Sequence, residues 1–216
     1  MESVEYLGTY RLTQSDEFFK LGRDSVRLAG FCTVKPNWRV CDLGCGVGSL
    51  LLLVSQREAR LTRTGIELSP GAAELARRNL VDNGLTGQIL TGDLRDKTLA
   101  PGDQFHLVLS NPPYFRAGSG KSGGQARMDD TCPVTDLCQA AGRLTRTGGR
   151  FALVYRPERL AELFAALQGA RLEPKRLQLL AYDQTKAPYA VLVEAVKEGG
   201  PGLEILPTYY QMEDEA

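Results

Sequence analysis

The sequence predicts an α/β fold in the form of a doubly wound domain: a mostly parallel sheet with helices on both faces. Three observations carry the prediction. Short apolar runs alternate with stretches of helical periodicity from residue 39 onward, a glycine cluster directly follows the first apolar run, and acidic residues close the second and third runs. At 216 residues the chain is long enough to bury one sizeable core.

The elements follow in order. Residues 39–43 (Arg-Val-Cys-Asp-Leu) read as a buried strand, and 49–57 as a leucine-rich helix beyond the glycine turn. A second strand covers 64–68. Ser69 and Pro70 then supply an N-cap hydroxyl and a first-turn proline for a helix over 71–83, which Asn83-Gly84 ends. Residues 88–93 form a third strand and 105–110 a fourth. A helix over 133–144 leads through the turn Thr147-Gly148-Gly149 into a strand over 150–155, and a helix over 158–167 follows. Two strands near 177–182 and 190–196 make the count seven. The expected organisation is an N-terminal extension over 1–38 packing near the site, a main domain over 39–198 and a tail over 199–216. The extension is apolar at Phe18, Phe19, Leu21, Val26, Leu28 and Phe31. The Gly- and charge-rich segment 116–131, just past the fourth strand, reads as a mobile substrate lid.

Composition excludes several classes. With 26 basic and 26 acidic residues, the chain is not a protein that coats nucleic acid by bulk charge, though a local basic face is open to it. The uncharged run 43–56 is too short and glycine-rich to span a bilayer, and Met1-Glu2-Ser3-Val4-Glu5 is no signal peptide. A soluble, cytoplasmic protein is expected, free of membranes, as a monomer or weak homodimer. Five cysteines without a C-x-x-C pair, beside a single histidine, argue against a disulfide framework or metal site and for buried thiols.

The chemistry begins at Asp42-Leu-Gly44-Cys-Gly46-Val-Gly48. Glycines between a strand and a helix let backbone approach a ligand, and the helix N-terminus offers free N–H groups. A dinucleotide fingerprint would need glycine at Ser49. Glu67 ends the second strand, where a carboxylate can accept both hydroxyls of a ribose. Asp93 ends the third, where a carboxylate can accept from an adenine amino group. Past the fourth strand comes Ser110-Asn111-Pro112-Pro113-Tyr114. A conjugated amine is a poor nucleophile, so a catalyst must orient it. The Asn111 side-chain oxygen and the Pro112 carbonyl can accept its two N–H bonds, prolines preset the backbone, and Tyr114 offers a stacking face. His106 reads as a packing or hydrogen-bonding residue at the strand start.

These residues resemble two known patterns. The glycine loop is similar to the S-adenosylmethionine loop of Rossmann-fold methyltransferases, and Asn-Pro-Pro-Tyr to the tetrapeptide of amino methyltransferases. With Lys20-Leu-Gly-Arg-Asp24, Leu28-Ala-Gly-Phe31, Tyr155-Arg-Pro-Glu-Arg-Leu160 and Leu172-Glu-Pro-Lys-Arg-Leu177, the chain resembles the bacterial tRNA adenine-N6 methyltransferases. Within that group it resembles those acting beside the anticodon of a valine tRNA and their Gram-positive-type relatives. The resemblance implies a Rossmann-like, seven-stranded S-adenosylmethionine-dependent methyltransferase fold and transfer to N6 of an adenine in a tRNA anticodon loop. It implies a cofactor site of Asp42, Gly44, Gly46, Gly48, Glu67, Leu68, Asp93, Leu94 and Asn111. It also implies a catalytic set of Asn111, Pro112, Pro113 and Tyr114. Tyr114, Phe115, Arg116, Lys121 and Arg127 would hold the substrate. The eight basic residues between 141 and 176, against three acids, are a candidate phosphate-contacting patch. Other acceptors remain open: a protein glutamine amide, or an amine in ribosomal RNA or DNA.

Overall fold

The structure, a computed structural model, describes residues 1–112 and 132–211. It opens with an antiparallel hairpin, β1 (Glu2–Leu7) and β2 (Tyr10–Ser15), followed by α1 (Arg23–Phe31). The alternating part runs β3 (Arg39–Leu43), α2 (Ser49–Arg57), β4 (Thr62–Glu67), α3 (Pro70–Asp82), β5 (Gly87–Thr91) and β6 (Phe105–Ser110). Beyond the undescribed segment come α4 (Val134–Leu144), β7 (Thr145–Tyr155), α5 (Leu160–Gly169), β8 (Leu172–Ala181) and β9 (Ala190–Lys197). Two short strands, β10 (Glu204–Ile205) and β11 (Tyr209–Tyr210), end the described chain.

The sheet order is β10-β8-β9-β7-β6-β3-β4-β5, with β11 also on β8. All pairings are parallel except those of β9, which runs antiparallel to both β7 and β8. The seven expected strands are present, and β10 and β11 lengthen the sheet along the outer edge of β8. Strand order reverses between β3 and β6. Ligands of open α/β sheets bind outside the carboxyl ends of the strands at such a switch point.

Both faces of the sheet are covered, which explains the unbroken apolar runs in β6 (Leu107–Leu109), β7 (Phe151–Tyr155) and β9 (Ala190–Val193). Val40, Leu107, Leu109, Ala152 and Val154 pack with α1, α2 and α3 on one face; Cys41, Val108, Phe151 and Leu153 pack with α4 and α5 on the other. The N-terminal segment shares the first of these cores through Leu7, Leu12, Leu28, Phe31 and Cys32. Cys32, Cys41, Cys45 and Cys138 are buried, in the packing role expected of them, and burial raises all four thiols above the usual range. No helix among the described residues is long and apolar enough to cross a membrane.

Three local features differ from the sequence reading. The hairpin was invisible because β1 is exposed at every residue but Leu7, while the inner end of β2 buries Thr13, Gln14 and Ser15; neither strand shows apolar alternation. Thr147-Gly148-Gly149 is a bulge inside β7 rather than a turn before it, because Thr145 already pairs with Phe105 before the register resumes at Leu107 and Arg150. β8 begins at Leu172 because Leu172 and Glu173 already pair with Lys197 and Val196.

Asn79 on α3 ties the hairpin to the glycine loop. Its Oδ1 accepts from Thr13 N–H at 2.9 Å, and its Nδ2 donates to the carbonyls of Thr13 at 2.9 Å and Val47 at 2.8 Å. The residue is fully buried. Asn79→Ala leaves three buried backbone groups unpaired and is expected to cost on the order of 3 kcal/mol, lowering the melting midpoint by about 10 °C in calorimetry.

Candidate active site

The carboxyl ends of β3, β4 and β6 bring the predicted residues together. The turn after β3 needs glycine. Gly44, Gly46 and Gly48 have φ of +71°, +53° and +84°, a region other residues enter only with strain. A Cβ at Gly44 or Gly46 would meet no atom within 4 Å, so the loop presents bare backbone beside open space. Gly48 is the N-cap of α2. Beneath the loop Gly65 of β4 makes room for Cys45, since a Cβ there would lie 2.5 Å from the Cys45 sulfur.

Two carboxylates flank this loop. Glu67, the last residue of β4, accepts from Gly46 N–H through Oε2 and from Ser69 N–H through Oε1, both at 2.8 Å. A carboxylate has about four acceptor sites, so two remain for a ligand's hydroxyls. Asp42 on β3 is 1 % exposed, and its Oδ1 is buried without a hydrogen-bond partner. Burial first, and then the neighbouring Glu67 carboxylate, push its carboxyl up to about 8. A buried acceptor without a partner is the exception in a folded protein.

Asp93 follows β5 and is adjacent to Glu67 through the pairing of Glu67 with Thr91. Its carboxylate is clasped by Arg95, with Nε at 2.9 Å from Oδ1 and Nη2 at 2.5 Å from Oδ2, and those bonds hold it below the usual range. Arg95 was not foreseen. A doublet two residues apart in a polar turn carries no periodic signal. Leu68 is 64 % exposed beside Glu67, whereas Leu94 packs onto the core of the α4–α5 face.

Asn111 and Pro112 stand just past β6, both partly buried. The Asn111 amide Nδ2 donates to Ser25 Oγ on α1 at 2.9 Å, and Ser25 is itself buried. That contact joins positions 86 residues apart, beyond the reach of motif spacing. The candidate residues Pro113, Tyr114, Phe115, Arg116, Lys121 and Arg127, and the expected lid 116–131, lie outside the described residues. His106 sits at the opposite, amino end of β6. It stacks on Trp38 and accepts from Arg39 N–H through Nδ1 at 3.1 Å, and partial burial with nearby Arg146 and Arg39 lowers its basicity.

The basic stretch 141–176 is largely engaged by partners within the chain. Arg143 donates to the Ala100 carbonyl, and Arg150 and Arg176 converge on the buried Glu194. Arg159 pairs with Glu162, Arg171 with Glu198, and Lys175 caps the carbonyls of Gly200 and Pro201. Most of the local charge excess therefore serves internal contacts, an arrangement that composition conceals.

The strand order, the bare glycine turn after β3 and the acids closing β3 and β4 define a Rossmann-like S-adenosylmethionine-dependent methyltransferase. The chain belongs to the methyltransferase small domain family, whose pattern matches residues 27–168. It is similar to the tRNA1(Val) (adenine(37)-N6)-methyltransferase of Porphyromonas gingivalis (strain ATCC 33277), with 30% identity over 197 residues, covering 86% of this chain and 77% of that protein. The protein of the same name from Cronobacter sakazakii is 32% identical over 181 residues, covering 81% and 74%. Among solved structures, a predicted O-methyltransferase from Agrobacterium tumefaciens superposes with a TM-score of 0.71 at 27% identity, covering 87% of this chain and 86% of that one. The resemblance to tRNA adenine-N6 methyltransferases is borne out by these relatives.

Proposed function

We propose that this protein transfers a methyl group from S-adenosylmethionine to the exocyclic N6 amine of an adenine in a tRNA anticodon loop, and that it does so in the cytoplasm. The observation that carries the reading is the Asn111 amide, held by Ser25 Oγ through its Nδ2, so that Oδ1 is the atom left to accept from substrate. Oδ1 and the Pro112 carbonyl make two acceptors, which match the two N–H bonds of an amine and not the single O–H of an alcohol. The names of the relatives from Porphyromonas and Cronobacter support adenine in tRNA as the acceptor.

Bound S-adenosylmethionine supplies an electrophilic methyl on a sulfonium sulfur. The residues present fit it: Glu67 has acceptor sites for ribose hydroxyls, the Asp42 carboxylate beneath the loop favours a cationic group, and Gly44 and Gly46 open the backbone toward it. Gly48, Leu68, Asp93 and Leu94 complete the proposed cofactor edge. Asn111 and Pro112 orient the amine so that its lone pair turns out of conjugation and faces the methyl. Neither is a base; the proton of the methylated amine leaves to solvent. Pro113 and Tyr114 complete the catalytic set in this proposal, with Tyr114, Phe115, Arg116, Lys121 and Arg127 on the substrate side.

The test is tritiated methyl transfer to bulk unmodified tRNA with nucleoside analysis. Label in N6-methyladenosine supports the reading. Label in ribosomal RNA, in DNA or on protein glutamine, with none in tRNA, replaces the substrate and keeps the chemistry. Ser25 enters as a positioning residue. Ser25→Ala is expected to lower kcat about tenfold with cofactor affinity unchanged, and Ser25→Thr to restore most of it. Equal losses in both variants would mark a packing role only.

A further inference from the structure

Three buried side-chain polar atoms lack a hydrogen-bond partner among the described residues: Asp42 Oδ1, Arg143 Nη2 and Arg156 Nε. Buried donors and acceptors are nearly always paired, so each exception asks for a reason. Asp42 lies in the proposed cofactor loop. Arg143 ends α4 at the amino side of the sheet, and its Nη1 already holds the Ala100 carbonyl at 2.7 Å. Arg156 has neither explanation.

Its place in the fold supplies one. Arg156 directly follows β7, which pairs in parallel with β6 at Ser110 and Leu153. Arg156, the first residue past β7, therefore stands at the carboxyl edge of the sheet on the strand beside β6, which ends one residue before Asn111. It is held there by the rigid 3-10 turn Pro157–Arg159, for which it is the N-cap. The other basic residues of 141–176 are paired internally or, like Arg146 beside His106, stand at the amino end. Among the described residues, Arg156 is the guanidinium of that stretch at the carboxyl edge whose Nε has no partner.

We propose that Arg156, whose Nε no described residue engages, binds a phosphodiester of the RNA strand flanking the target base through its outer Nη groups. The inference rests on the tRNA reading above. A guanidinium suits the task because its planar fork meets two phosphate oxygens at once and never loses its charge. A phosphate held beside Asn111–Pro112 would set the register of the strand so that the splayed base falls on the two acceptors, while carrying no sequence information itself.

The experiment measures binding of bulk unmodified tRNA by Arg156→Ala, Arg156→Lys and the unaltered protein across a salt series. S-adenosylmethionine affinity and melting midpoint are followed alongside. Arg156→Ala is expected to weaken tRNA binding about tenfold, with the log K against log salt slope shallower by about 0.7–0.9, the value of one released counterion. Arg156→Lys is expected to keep the salt slope and recover only part of the affinity, since it retains charge without the fork. Cofactor affinity stays unchanged in both. Undiminished tRNA affinity in Arg156→Ala overturns the assignment while leaving the tRNA reading intact. So does a loss confined to cofactor binding, which would make Arg156 a partner of the cofactor's carboxylate. An unaltered protein that neither binds nor methylates tRNA overturns the tRNA reading and this inference with it.

Discussion

Asn111→Ala is expected to lower methyl transfer about a thousandfold while S-adenosylmethionine affinity stays within a few-fold. The asymmetry follows from where the side chain sits. Asn111 lies past β6, where its Nδ2 bonds Ser25 among the described residues, so truncation removes the proposed substrate acceptor without touching the Glu67–Gly46 and Glu67–Ser69 bonds that shape the loop. Because the missing oxygen acts on the amine as it pyramidalises, the loss belongs in kcat rather than in KM. Single-turnover transfer with cofactor binding by calorimetry measures both halves. Normal turnover would remove the amine-orienting role.

The second large effect concerns Asp42 and pH. Burial and the neighbouring Glu67 raise its carboxyl to about 8, whereas an unfolded aspartate ionises near ~4. A carboxyl raised on folding contributes stability that is fully present below its unfolded value and is lost as pH rises through the folded one. The melting midpoint is therefore expected to carry a component that falls between about pH 4 and pH 8. Asp42→Asn removes it, and its advantage over the unaltered protein grows toward pH 8. A cationic ligand beside Asp42 favours its ionised form, so cofactor binding releases a proton and tightens with pH below 8, by at most about tenfold per unit. Calorimetry in buffers of different ionisation enthalpy reads that proton directly. In Asp42→Asn, binding is expected to be weaker and flat with pH; an unchanged pH slope would mean that another group titrates.

Much of this molecule was legible before any coordinate. A strand buried on both faces is mostly apolar, so β3, β6 and β9 stand out by their Val, Leu, Ala and Cys. A backbone forced to positive φ beside a ligand tolerates little but glycine, so the loop at Gly44, Gly46 and Gly48 announces itself. Asp42, Glu67 and Asn111 were legible as strand-end residues for the same reason: each lies at or just past the carboxyl end of a strand, and those ends of a parallel sheet share one edge.

What the sequence could not show depends on contacts between distant segments. The N-terminal hairpin has no apolar alternation, because its exposed first strand and the buried polar end of its second are settled by Asn79 of α3 and the underlying core. The partner of Asn111 lies 86 residues away on α1. A count of basic residues cannot tell an arginine spent on Glu194 from one left unpaired at the site, since charge is local in sequence but pairing is decided in space. Local periodicity and backbone sterics make the seven main strands, the glycine loop and its acids readable along the chain. Which polar atoms are already satisfied is settled in three dimensions, because a hydrogen bond depends on distance and direction that no spacing along the chain encodes.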